Sequence, residues 1–583
     1  MTGTFTYREA AHKCFRRTLR LTPEFRRAGA VLWDAPGVCR CEVRAIGGDP
    51  AFAAFDTAQN YPENGLVLEA VLFLSCPERP EWTHLRIGVP LADVPDSEMF
   101  EIEYSGPRFT LRSGGKVLDE EFPFGDPPGE PETADRFIPA PMRPPSPVMF
   151  TGPLHLWSPA GRNTWAGDVT VGSFNGEFHL FYLHDRRHHT SSFGAGAHTW
   201  RHLVTRDLKT WRDDGEILPL QAQWQTYGTG TPFVHDGRLF LSYGLHTERY
   251  PAPDAPRGGT WAESTDGQHF TPSDRICTRS ENPSVFNLPD GRLVLFEGDD
   301  RQRRLVLKAA AKWPDFDAVT AALPLGEDTP TGHSAECPAY FHWHGKHFLL
   351  VGFSGMYSAD TPDFTPARDL AAEGVDLYDG LDVPMVAPFA GDRRILAGWL
   401  RVGGWGGVLG LRELVWCSDG VPGLRWLDEA VPDHGAWTDF SKTAAVDGDL
   451  VLELTVQPGA DVRVRLSGEG EDVELRVHAA RRKAELVFAS IADYPAATVF
   501  PRDRNPGGRA AEHLRGLDAP YRVRLLVRND RKLRGTVADA EIAGLRTLIH
   551  YFPGHAAKEI RVSGAATSRI ARLAPSPTAK PLG

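Results

Sequence analysis

The sequence is poor in cysteine, in helical periodicity and in long apolar runs. Among 583 residues there are seven cysteines, Cys14, Cys39, Cys41, Cys76, Cys277, Cys337 and Cys417. Their number is odd and no C-x-x-C pair occurs, which argues against a disulfide framework and against a cysteine zinc site. The one close pair, Cys39 and Cys41, reads as two thiols on one face of a strand. The N-terminal stretch MTGTFTYREAAHKCFRR carries positive charge with no apolar segment behind it. That is not the pattern of a secretory signal, and with the cysteine usage it predicts a cytoplasmic protein. No stretch approaches the roughly 18 apolar residues of a membrane span. There is no basic excess either: 64 Lys and Arg stand against 76 Asp and Glu, a net charge of -12. Neither nucleic acid nor a membrane surface is therefore an expected partner. The sequence also lacks a G-x-S-x-G elbow and a glycine-rich loop opening a helix, so serine-hydrolase and nucleotide chemistry find no support and no cofactor is expected.

Aromatic residues make up 10 %, with 58 Gly and 47 Pro. They fall into short alternating runs separated by turn residues, which predicts an all-β protein. The length suggests three domains. Residues 1–126 contain runs such as GLVLEAVLFLS, THLRIGVPL and EMFEIEYSG and read as a β-sandwich. Residues 127–153 are proline-rich and read as a semi-rigid linker. Residues 437–573, with DLVLELTV, DVRVRLSG and YRVRLLVR, alternate apolar with polar positions and read as a second sandwich.

Between these, residues 154–432 hold a degenerate repeat of strand, glycine turn and strand: SFNGEFHLFYL, FVHDGRLFLSYG, NLPDGRLVLFEG, HWHGKHFLLVG and PFAGDRRILAGW. The turn glycines Gly176, Gly237, Gly291, Gly345 and Gly391 are spaced roughly 46 to 61 residues apart, the repeat length of propeller blades. Five copies predict a five-bladed β-propeller. The strand before each turn is then the innermost one, with its start at the central channel.

Polar residues just upstream of the turns are accordingly the candidate functional groups: Asp168, Asn282, Glu336 and Asp382. Cleavage of a glycosidic bond needs one carboxylic acid to protonate the leaving oxygen and one carboxylate on the other face of the sugar. Asp168 in the first repeat and Glu336 in the fourth supply such a pair. The segment Gly228–Thr231, with Thr229 at its centre, opens the second inner strand with small residues that let backbone approach a ligand. After the first hairpin, FYLHDRRHH reads as a loop at the channel mouth, where His184, Asp185 and Arg186 offer donors and acceptors to sugar hydroxyls. A metal is not expected there, because two flanking arginines repel a cation and no further ligand set is apparent. Trp165, Trp200, Trp224 and Trp405 are candidates for sugar stacking, although burial in a propeller core suits each of them better.

Four segments resemble glycoside hydrolase family 32, the β-fructofuranosidases and related fructan-active enzymes. GDVTVGSFNGEFHLFYL resembles the family's first-blade motif with its nucleophilic Asp. WRHLVTRDLKTW, with Trp200 and His202, resembles a stretch ending that blade. AECP resembles the Glu-Cys motif of the general acid/base, and GWGGVLGLRELVW resembles a fifth-blade ending. The resemblance implies that Asp168 is the nucleophile and Glu336 the acid/base of a retaining displacement on a small saccharide. It also implies that Asn282, Glu281, Asp382, Asp185 and His202 position sugar hydroxyls. Three departures are visible: Gly167 and Val169 flank Asp168 where the family has asparagines, Glu281-Asn282-Pro283 stands where the family has Arg-Asp-Pro, and the N-terminal sandwich is a part that the family does not generally carry, which points to a divergent subgroup. Asn282 keeps an acceptor oxygen without the negative charge. Two other readings stay open, an arabinofuranosidase-type glycosidase on the related five-bladed scaffold and a catalytically silent sugar-binding propeller.

Overall fold

The computed structural model describes residues 3–4, 13–46, 65–77, 79–95, 98–136, 147–161, 163–189, 197–246, 255–280, 282–299, 304–310, 313–316, 318–324, 336–352, 355–494, 507–530 and 534–574. Among them regular structure is almost entirely antiparallel strand, with two single-turn 3-10 helices at Pro23–Phe25 and Leu91–Asp93. No helix there is long and apolar enough to cross a membrane.

The N-terminal part is a sandwich of a five-stranded and a four-stranded sheet. They enclose one core that includes Phe15, Trp33, Leu72, Ile87, Phe100, Ile102 and Phe109. Cys39 and Cys41 lie fully buried on one face of Cys39–Ile46, as period-2 alternation requires. The proline-rich stretch is not wholly a linker. Asp135–Arg136 pairs with Phe15–Arg16, and Val148–Thr151 pairs with Thr210–Asp213 of the next unit. Both are proline-free segments of it, where every residue keeps an N–H for a ladder.

The central part consists of five antiparallel meanders. Three of them are separate sheets, and the first and fifth join into one nine-stranded sheet. Their leading strands are Thr164–Phe174, Pro232–His235, Ser284–Asn287, Ala339–Trp343 and Asp382–Phe389. The first of these lies against the second and the second against the third; the fourth lies against the fifth, and the fifth returns to the first. The leading strands therefore ring a common axis, as expected of a propeller. All five turn glycines have positive φ. At Asn175-Gly176, Asp236-Gly237 and His344-Gly345 both central residues do, the tight hairpin form whose twist matches the strands.

The C-terminal part is a sandwich of two six-stranded sheets around a core that includes Leu452, Val464, Leu475, Leu486, Val523 and Phe552. It meets the fifth meander through a buried charge network. Arg412 donates to Asp379 at 2.7 Å and to Asp539 at 3.1 Å, Thr547 donates to Asp379 at 2.7 Å, and His155 meets Asp539 at 2.6 Å.

A second buried network fixes the N-terminal sandwich to the first meander. Three successive acids, Asp119, Glu120 and Glu121, end the strand Lys116–Glu121. Arg187 reaches Asp119 and, at 3.0 Å, Glu121, while Arg186 reaches Glu120 at 2.8 Å. Arg108 bridges Glu120 and Glu216 at 3.2 and 2.5 Å. Gln223 adds neutral bonds by accepting from the Gly125 amide and donating to the carbonyls of Gly106 and Gly125. Burial opposes the Glu120 charge, but Arg186 and Arg108 outweigh it and hold the carboxyl well below its usual range.

Removing one partner of such a pair strands the other in low dielectric, at a cost of about 3–5 kcal/mol. Arg187→Met is expected to lower unfolding stability by about that much in chemical denaturation. A carboxyl whose folded pKa is depressed contributes stability that is complete above its unfolded value and is lost on acidification. The wild-type chain should therefore lose this docking as pH falls below about 4.5, read as increasing protease sensitivity of the N-terminal sandwich.

Candidate active site

Three acids stand where leading strands begin or bulge, each at or beside a non-glycine residue in left-handed backbone. Asp168 itself has φ 34°, inside a register break between Gly167 and Thr170. Glu336 precedes Cys337, with φ 49°, and Asp382 precedes Val383, with φ 47°, at a second register break. Such backbone is rare for non-glycine residues and strained for a β-branched one. A bulge re-aims a side chain that regular pleating would send into the blade. Left-handed backbone thus recurs at or beside an acid in meanders one, four and five, accompanied by a bulge in the first and fifth.

Meanders one, two and four converge on Asp168. Thr229, in the segment leading into the second meander, donates from Oγ1 to Asp168 Oδ2. Burial pushes the Cys337 thiol up, the Asp168 charge pushes it further, and a hydrogen bond with Thr229 pulls it back. Cys337 therefore lies within reach of both residues, and its chain neighbour is Glu336. Asp168 and Glu336 are both partly exposed, so solvent or a ligand reaches them.

Trp405 forms a wall of this site. A Cβ placed on Gly167 would sit 2.3 Å from its ring, so the indole occupies the space that a side chain before Asp168 would need. The missing asparagine at 167 is explained by this packing. On its other side Trp405 stacks on His198 at 4.2 Å, with the rings 13° apart.

Asp382 is paired with Arg401 at 3.2 Å, and Arg509 of the C-terminal sandwich lies within electrostatic reach of it. The carboxylate is thus oriented by arginines from two units. Arg401 and Arg509 carry no motif that the sequence reading could use. Asn282 is partly buried, and its backbone N–H donates to Ser280 Oγ at 3.2 Å. Glu281 lies outside the described residues.

Other expected contacts are corrected by burial. FYLHDRRHH is not a loop at the channel mouth, because Glu177–Arg186 is one continuous strand. Arg186 is committed to Glu120. His184 is buried, and burial together with Arg201 and Arg186 pushes its pKa well below the usual value. Trp200 is fully buried in a core with Phe181, Leu218 and Tyr243. His202 is also fully buried; it stacks on Phe181 at 4.2 Å and meets Asp214 at 3.0 Å and His179 at 2.9 Å. It braces the blade and does not face a ligand. Asp185 is buried too, and burial raises it to about 8 against the pull of His188 and the backbone N–H groups of His189 and His188. Local sequence pattern could not tell a channel-facing loop from a strand whose polar residues meet a distant segment.

What remains at the channel is a nucleophile-type carboxylate held by a hydroxyl, a second carboxyl one residue from the thiol beside it, and an aromatic wall. That set is competent for acid-base and nucleophilic work on a glycosidic bond.

Residues 163–368 match the family model described as the Glycosyl hydrolases family 32 N-terminal domain. The probable sucrose-6-phosphate hydrolase of Psychromonas ingrahamii is 24 % identical over 209 residues, 33 % of this chain and 36 % of that protein. The chain thus spans about a third of that relative. Among solved structures, the family 32 β-fructofuranosidase of Bombyx mori aligns with a TM-score of 0.53 at 16 % identity, covering 72 % of this chain and 93 % of that one. A family 32 glycoside hydrolase of Bifidobacterium adolescentis aligns with a TM-score of 0.51 at 14 % identity, covering 96 % and 98 %. At these identities the structural likeness establishes a shared fold, and the sequence match locates the family's signature. Over residues 163–368 the chain is therefore similar to the N-terminal domain of glycosyl hydrolase family 32, and it shares the fold of that family's solved members.

Proposed function

We propose that the protein is a glycosidase that releases a fructosyl unit from a small β-fructofuranoside. Asp168 attacks the anomeric carbon while Glu336 protonates the departing glycosidic oxygen. A covalent fructosyl-enzyme forms on Asp168, and Glu336, now a carboxylate, takes a proton from water as that water attacks the same carbon. The cycle returns both carboxyls to their starting state and retains configuration. The observation that carries this reading is the meeting of Asp168, Thr229 and Cys337, which brings the Asp of the first meander to the Glu-Cys segment of the fourth. The Thr229 hydroxyl favours the ionised form of Asp168, as a nucleophile requires. Trp405 offers an apolar face to the sugar ring. Asp382, oriented by Arg401, is an acceptor for sugar hydroxyls, and Asn282 is a neutral one. The relative named as a probable sucrose-6-phosphate hydrolase suggests sucrose-like substrates, with and without a phosphate.

Fructose release from sucrose, sucrose 6-phosphate and short fructo-oligosaccharides, run beside arabinofuranosides, tests the substrate class. Glu336→Gln is expected to lower kcat/KM by roughly 10²–10⁴, and less with an activated leaving group that needs no proton. Asp168→Asn should fall below that level with every leaving group. Activity that survives both substitutions, or release of arabinose alone, contradicts the proposal.

Thr229→Val supplies a pH test. Loss of the donated bond disfavours the Asp168 carboxylate, so its pKa rises. The acidic limb of the kcat/KM profile is expected to move upward by about 0.5–1 pH unit. An unmoved limb means that this hydroxyl does not tune the nucleophile.

A further inference from the structure

We propose that Asp185, His189 and His198 form a site for one divalent transition-metal cation of the zinc class, set behind the aromatic wall beside Asp168. One donor atom from each of the three lies within 4.8 Å of the others. The His198 Nε2 is 3.4 Å from Asp185 Oδ1 and hydrogen-bonds His189 Nδ1 at 2.7 Å, a bond that a cation would replace; Asp185 Oδ1 also accepts from the His189 backbone N–H at 2.7 Å. Donors about 2.0–2.1 Å from a tetrahedral zinc lie roughly 3.3 Å apart, so the separation of His198 from Asp185 already fits and that of the two imidazoles needs a small opening. Asp185 is 1 % exposed, and its Oδ2 has no hydrogen-bond partner among the described residues. A buried carboxyl oxygen left this way is costly, and a cation held by Asp185 through Oδ2 or through both oxygens relieves that cost.

The sequence argued against a metal here on two grounds, and the fold removes both. The flanking Arg186 and Arg187 point into the Asp119–Glu121 triplet, which matches their charge. The ligand that seemed missing is His198, which begins the return toward Thr199–Thr205 and is carried back beside Asp185 by the strand pairing of His184 with Thr199. Two imidazoles and one carboxylate leave a fourth position for water, a donor set that suits zinc. The His198 backbone N–H is anchored on Thr226 Oγ1 at 2.9 Å, which fixes the segment that carries this ligand.

Such a cation would be a structural brace rather than a participant in bond cleavage. Its ligand His198 stacks on Trp405, and Trp405 lies flush on Gly167, next to Asp168. Binding would therefore set the Trp405 wall and leave the carboxyl chemistry to Asp168 and Glu336. The site stands on geometry that does not depend on the glycosidase reading.

The test uses full-length protein stripped with a chelator and titrated with Zn²⁺ by calorimetry and with Co²⁺ by visible absorption. One equivalent per chain is expected, with d–d bands of a four- or five-coordinate Co²⁺ centre and a raised thermal midpoint on adding Zn²⁺. Asp185→Asn and His189→Ala should each weaken binding by at least about 100-fold and abolish those bands. Because His189 is only half-buried, its variant keeps the test valid if the Asp185 variant does not fold. Substoichiometric binding, octahedral Co²⁺ spectra, or an affinity unchanged in the folded His189 variant would overturn the proposal.

Discussion

The first meander closes on the fifth at two glycines that leave no room for side chains. Ala166 pairs with Gly407, the one register contact joining Thr164–Phe174 to Gly407–Trp416. A Cβ on Gly407 would lie 1.8 Å from the Leu400 carbonyl oxygen. One residue along, Gly167 admits the Trp405 ring. The strand that carries Asp168 is thus pressed against the last blade at the point where its backbone turns left-handed. A side chain at Gly167 would displace the Trp405 ring, and one at Gly407 would open its pairing with Arg393–Arg401, so both sides of the joint need glycine.

The flanking sandwiches stabilise that closed ring through buried charge. The N-terminal unit offers three consecutive acids to arginines at the end of the first blade's second strand, and the C-terminal unit offers Asp539 to Arg412 of the fifth. Both networks grip the pair of blades that meet at Ala166 and Gly407. Buried ion pairs add less stability than their number suggests, but they specify geometry, since any other docking would strand charges out of water. This gives the N-terminal sandwich a physical role that its sequence did not disclose.

The repeat was legible because Asn-Gly, Asp-Gly and His-Gly turns recur at blade spacing and the strands between them alternate. Asp168, Glu336 and Asp382 could be singled out as candidates because each lies upstream of such a turn, where the leading strand begins or bulges. His202, Trp200 and Arg186 were misjudged for a common reason. In a strand buried on both faces, a polar residue can be satisfied by a partner far away in sequence, here Asp214 and His179, a hydrophobic cluster, and Glu120. Local pattern carries no information about that partner. The cluster of Asp185, His189 and His198 stayed hidden because its third member sits just before the neighbouring strand and only the register of that strand brings it back.

The central claim is that Asp168 and Glu336 work as one pair on a furanosyl bond. Its most direct test is mass spectrometry of the Glu336→Gln protein quenched during reaction with a fructoside bearing an activated leaving group. The account predicts a mass gain of one fructosyl unit on the peptide containing Asp168, since formation of the intermediate no longer needs the acid while its hydrolysis still needs the base. An adduct on another carboxylate, or turnover by this variant with inverted configuration and no adduct, would contradict it.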